Sequence, residues 1–124
     1  MLNRGIIDRC RAELMRTARA GAAAFAEGAS PSEVHRRGTI TYARLAALLG
    51  VANQSVGLYL DVIYEEEIGH GRPDLTTVVV YEKTGLGRYN SRGAAVRSKV
   101  VVPGNLSDER AYRDELNKVY GQWA

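Results

Sequence analysis

Apolar residues recur at helical spacing from the first turns of the chain. Ile6, Ile7, Cys10, Leu14 and Ala18 share one face, and an Ala-rich run carries the pattern on to Phe25. This predicts a long N-terminal helix within residues 1–27, stopping near Gly28, with Gly21 as the weak point of its continuity. Residues 28–39 (GASPSEVHRRGT) read as a linker with a short helical turn over 31–36. Thr41 then suits the cap of a helix whose Leu45, Leu48 and Leu49 fall on one face. Ala46 is small where two helices must approach, and Gly50 suits a sharp exit through positive φ. Asn53 is a natural cap for a second helix, from which Val56 and Tyr59 point back with Val51 towards the same core. Together these positions predict a helix-turn-helix.

The period then changes. LTTVVVY, Leu75 to Tyr81, is a β-branched run of strand length, and Lys83-Thr84-Gly85 is a plausible tight turn. A return strand is expected from Ala95 to Val102, with Val96, Val100, Val101 and Val102 apolar. Pro103-Gly104 ends it. Residues 105–123 form a last helix capped by Ser107, with Asp108 and Glu109 in its first turn. Tyr112, Leu116, Val119, Tyr120 and Trp123 make its apolar stripe, read as core or as a homodimer or partner surface. The expected fold is α+β, mostly α. It is one domain in which a winged helix-turn-helix over 40–102, with a two-stranded β-wing, is flanked by N- and C-terminal helices.

Composition adds bounds. With 124 residues, 45% hydrophobic and 25% charged, the chain fits one globular domain. No apolar run reaches the roughly 20 residues of a membrane span. The charged N-terminus does not resemble a signal peptide, and the single Cys10 suits a small, partly buried residue in a reducing cytoplasm. The net charge of +3 says less than its distribution. From Lys83 to Lys99 there are five cations and no acid, and from Asp61 to Asp74 five acids and one cation, Arg72. The first nineteen residues hold Arg4, Arg9, Arg11, Arg16 and Arg19 against Asp8 and Glu13. Each run reads either as a solvated face or as a binding patch.

Thr41, Tyr42, Leu45, Ala46 and Gly50, then Val56 and Gly57, then LTTVVVYEKTGLGRYNSRG, resemble the DNA-binding domain of alkylguanine-DNA alkyltransferases and their alkyltransferase-like relatives. The resemblance covers residues 40–93. Small phage and actinobacterial proteins look similar through the same spacing. The family's Pro-Cys-His-Arg active-site run falls on Thr76, Thr77, Val78 and Val79. Thr77 supplies no sulfur and Val78 no base, so the resemblance implies a DNA-binding shape without alkyl transfer.

Other chemistry is poorly supported. Pro73-Asp74 and Glu82-Lys83 are similar to a metal-dependent nuclease motif, but adjacent Glu82 and Lys83 face opposite ways on a strand. Glu65, Glu66, Glu67 and His70 lack a second His or Cys at ligand spacing, so a solvated acidic helix end is expected and no metal or other cofactor is implied. His35 reads as a linker residue, and Gly85, Gly87 and Gly93 as wing glycines. Two function classes stay open. In one, the chain is a non-enzymatic binder of double-stranded DNA, a small transcriptional regulator or site marker. Asn53, Gln54 and Ser55 would then meet base edges, while Tyr42, Arg44, Lys83, Arg88 and Arg92 hold the backbone. In the other it is a protein-interaction module, such as a phage-encoded inhibitor of a host protein. That module would use the acidic Asp61–Asp74 face or the aromatic last helix.

Overall fold

The computed structural model describes residues 2–89 and 99–124. The architecture is α+β and mostly helical, with α1 (Arg4–Ala26), α2 (Pro31–Arg37), α3 (Tyr42–Leu49), α4 (Val56–Gly69) and α5 (Leu106–Trp123). Short strands β1 (Ile40–Thr41), β2 (Val79–Val80), β3 (Arg88–Tyr89) and β4 (Lys99–Val100) complete it.

Helix α1 runs unbroken through Gly21, and packing explains why. A Cβ on Gly21 would lie 2.4 Å from the Tyr120 ring and 2.8 Å from the Gly38 Cα. Glycine is therefore what lets α1 meet the end of α2 and the aromatic face of α5. The Tyr120 hydroxyl seals this crossing by donating to the Gly38 carbonyl at 2.8 Å. The expected linker contains a true helix, α2, capped by Ser30, whose hydroxyl accepts from Glu33 N–H.

The centre of the molecule departs from the sequence reading. Leu75–Val78 is not strand but a 3-10 turn. Asp74 Oδ1 accepts from Thr76 N–H at 3.0 Å and from the Thr76 hydroxyl at 2.5 Å. Such local side-chain bonds compete with a strand ladder. The four β-branched or apolar residues of the turn are wholly buried, so their bulk fills the core instead of a pleated surface. Only Val79–Val80 is extended. It pairs in parallel with β1, Ile40 opposite Val79. Val80 also bridges Gly87, and β3 pairs antiparallel with β4, Arg88 opposite Val100. The return strand thus pairs with residues 88–89 and not with 75–81. Its expected start, Ala95 to Val96, lies outside the described residues, as do Arg92 and Gly93.

Helix α5 begins at Leu106, and its cap is Asn105 rather than Ser107: Asn105 Oδ1 accepts from Asp108 N–H at 3.1 Å. The stripe Tyr112, Leu116, Val119 and Tyr120 is buried against the core, and Trp123 packs on its edge under the Arg19 guanidinium. The first four side chains thus serve the core, and Trp123 stays half-buried at its edge. Cys10 is fully buried, not partly, and burial pushes its thiol up to about 12. Among the described residues no single helix is long and apolar enough to cross a membrane.

Candidate nucleic-acid interface

Local chemistry builds the α3–α4 pair. Thr41 Oγ1 accepts from Arg44 N–H at 3.2 Å and opens α3. Gly50, at φ 69°, closes it, and Val51 N–H returns to the Ala46 carbonyl at 3.1 Å. Leu45, Ala46 and Leu49 are buried as expected, but Leu48 is exposed, since its neighbours alone fill the inward face. Between Tyr42–Leu49 and Asn53–Gly69 the axis bends by 96°. Val56 and Tyr59 hold α4 to the core. Asn53 does not act as a cap. Asn53–Ser55 forms a 3-10 turn with no side-chain capping bond, which leaves the Asn53 and Gln54 side chains exposed at the N-terminal end of α4.

From there an exposed line runs down α4 through Gln54, Leu58, Asp61 and Glu65, at helical spacing. Leu58 is 56% exposed and was not singled out by sequence, although the spacing from Gln54 could have found it. Gly57 lies beside Leu58. A Cβ on Gly57 would meet nothing within 4 Å. Gly57 stands in the first turn of α4, where glycine costs at most the roughly 1 kcal/mol of a helix interior, and no internal contact requires it.

Of the other expected residues, Arg44 is exposed in the first turn of α3, and Ser55 is half-buried. Tyr42 stacks on Tyr81, ring centroids 4.8 Å apart, which brings the start of α3 beside the turn that carries exposed Lys83. That turn closes through Gly85 N–H to the Tyr81 carbonyl at 2.8 Å. Arg88 is half-buried in β3, with its Nε buried and making no hydrogen bond.

The charge runs resolve differently from the sequence reading. The acidic end of α4 is solvated only in part: Glu65 is exposed, while Glu66 is half-buried and Glu67 turns inward. Glu67 is wholly buried, bound by Arg11 and by Arg72, whose Nε lies 2.6 Å from Glu67 Oε2. Glu66 takes Arg11 and Arg4, the latter at 3.0 Å. Burial raises the Glu66 carboxyl, but hydrogen bonds from Arg4 and Arg11 outweigh it and its pKa lies below the ordinary value. The basic N-terminal run is likewise engaged. Arg9 donates to the Leu49 carbonyl at the end of α3, Arg16 pairs with Glu13, and Arg19 covers Trp123. On α2, Arg36 and Arg37 hold Glu33 down at about 2. Arg4 and Arg11 of the basic run thus offset Glu66 and Glu67 of the acidic run.

The residues aligned with the alkyltransferase active site are sealed. Thr77 and Val78 have no exposed surface, and the Thr77 carbonyl accepts from the Tyr112 hydroxyl at 2.7 Å. Asp74 is buried while Glu82 and Lys83 are exposed, so the nuclease-like residues are not gathered. Compared with known proteins, the chain matches no family model, no curated protein and no solved structure.

Proposed function

We propose that this chain is a non-enzymatic, double-stranded-DNA-binding protein of winged-helix shape, acting as a small transcriptional regulator or DNA-site binder. The observation that carries this reading is the outward line of α4. It begins with exposed amides at Asn53 and Gln54, continues through Leu58, and includes a glycine that nothing inside the protein requires. Asn and Gln pair bidentately with adenine, and Leu suits a thymine methyl. Gly57 lets a groove wall approach the helix backbone closely. The 96° bend and three-residue connection fit a helix-turn-helix, in which the second helix enters the major groove. Arg44, Lys83, Arg88 and Arg92 would supply phosphate contacts, with Tyr42 positioning the turn through its stack on Tyr81.

Internal pairing reduces the acidic charge near this face, which still carries the exposed Asp61 and Glu65. Glu66 and Glu67 lie at the far end of α4, and their charge is offset by Arg4, Arg11 and Arg72. The same pairing weakens the alternative in which an acidic Asp61–Asp74 face recruits a protein. What favours that alternative is a different patch, Val102 and Leu106, 55% and 78% exposed at the start of α5.

Selection of bound sequences from a random duplex pool tests the proposal. A consensus site is expected, with Asn53→Ala and Gln54→Ala each relaxing preference at one base position by about 1–3 kcal/mol. A pool that shows no enrichment would sink the DNA reading.

A further inference from the structure

Away from α4, a cavity of about 630 Å³ lies between the end of α1, helix α2, the turn at 84–86 and helix α5. Its size falls in the range of small-molecule sites. Val34, Leu86, Leu116 and the rings of Tyr112 and Tyr120 line its apolar part. Both tyrosine hydroxyls are already committed, to the Thr77 and Gly38 carbonyls, so the rings offer apolar surface. Phe25, another lining residue, is 67% exposed.

The polar lining carries one guanidinium, Arg113, and one carboxylate, Glu109, with His35 on the opposite wall. Arg113 and Asn117 stand one helical turn apart on α5, on the same face. Neither side chain makes a hydrogen bond or ion pair among the described residues, in contrast to the arginines of α1 and α2. The lining acid, Glu109, is occupied with the Gly104 N–H at 3.2 Å. An apolar slot bordered by an uncommitted guanidinium and an amide suits a planar apolar body carrying one carboxylate, which the guanidinium fork matches in shape and charge.

We propose that this cavity binds a small aromatic carboxylate, its ring against Phe25, Tyr112 and Leu116 and its carboxylate on Arg113 with Asn117. The proposal does not depend on DNA binding, and its test contains no DNA. The probes are 2-naphthoate and its uncharged counterpart 2-naphthamide, titrated into the full chain by calorimetry and amide NMR. Saturable naphthoate binding is expected, about tenfold tighter than the amide, a difference of about 1.4 kcal/mol. Signals from residues 25–35, 84–86 and 109–120 should move. Arg113→Gln, at an exposed position, should abolish the preference for the acid and keep the thermal midpoint. Phe25→Ala should weaken both probes alike. Equal affinity for acid and amide, a preference that survives in Arg113→Gln, or no saturable shift at millimolar probe would each overturn the assignment.

Discussion

Gly21 and Gly57 both sit inside helices, yet their surroundings are opposite. At Gly21 an added Cβ collides with Tyr120 and Gly38, so the interior accounts for the residue in full. At Gly57 the same atom would enter open space. The charged residues divide in the same way. The C-terminal end of α4 sends Glu66 and Glu67 to arginines of its own chain, whereas the N-terminal end leaves Asn53 and Gln54 exposed. Residues that look alike in sequence are separated by what already surrounds them. Those left without an internal reason are where an external partner is to be sought.

Substitutions that break this contrast should differ in size and in readout. The largest effect on folding is expected from Gly21→Ala. Overpacking a helix crossing against backbone should destabilise the protein by up to about 3 kcal/mol, more than the helix-propensity gain returns. A lowered denaturation midpoint checks this, with DNA affinity of the folded protein unchanged. Next is Arg11→Met, which removes charged hydrogen bonds from buried Glu67 and from Glu66. A loss of about 2 kcal/mol is expected at neutral pH. The pH dependence has a definite sign. The Glu66 pKa is lower folded than unfolded, so its contribution is present above 4.5, its ordinary value, and is lost as pH falls through the folded value. The gap between wild type and Arg11→Met should therefore narrow in acid urea titrations. A gap that widened would contradict the ion-pair assignment.

Gly57→Ala inverts the pattern. It should stabilise the fold by up to about 1 kcal/mol while weakening duplex binding. Gly57→Leu, still a better helix former than glycine, should weaken binding further. Stabilisation with full affinity would mean that nothing approaches α4 at this point. The smallest effects belong to Arg44→Ala and Lys83→Ala. Each should lower affinity evenly across sequences and reduce the salt slope by about 1, with stability within about 0.5 kcal/mol of wild type.

Much of the local structure was legible in the chain. Thr41 as a cap, Gly50 at positive φ, and Val56 and Tyr59 facing inward follow from short-range rules, and each stands as the pattern implies. What could not be read depends on distant partners. Leu75–Val78 has strand composition, but the Asp74 side chain bends it into a turn and the core takes its bulk. Arg72 is a near neighbour of Glu67, but the pairing of Glu66 and Glu67 with Arg4 and Arg11, more than fifty residues earlier, is carried by no local pattern. Exposed Arg44, Asn53, Gln54 and Lys83 were legible as candidates. Leu58 was within reach of the spacing from Gln54, whereas the open space beside Gly57 depends on how α4 packs.

The central claim is that the outward face of α4, with cations of α3 and of the segment after β2, engages duplex DNA. It is tested most directly by anisotropy titrations of labelled duplex across a salt series, wild type beside Gly57→Leu. Four phosphate contacts, from Arg44, Lys83, Arg88 and Arg92, predict that log affinity falls with log salt at a slope of about −3 to −4. Gly57→Leu should lose about tenfold or more in affinity at every salt concentration while remaining folded. Undetectable binding at low salt, or binding indifferent to both salt and Gly57→Leu, would contradict the account.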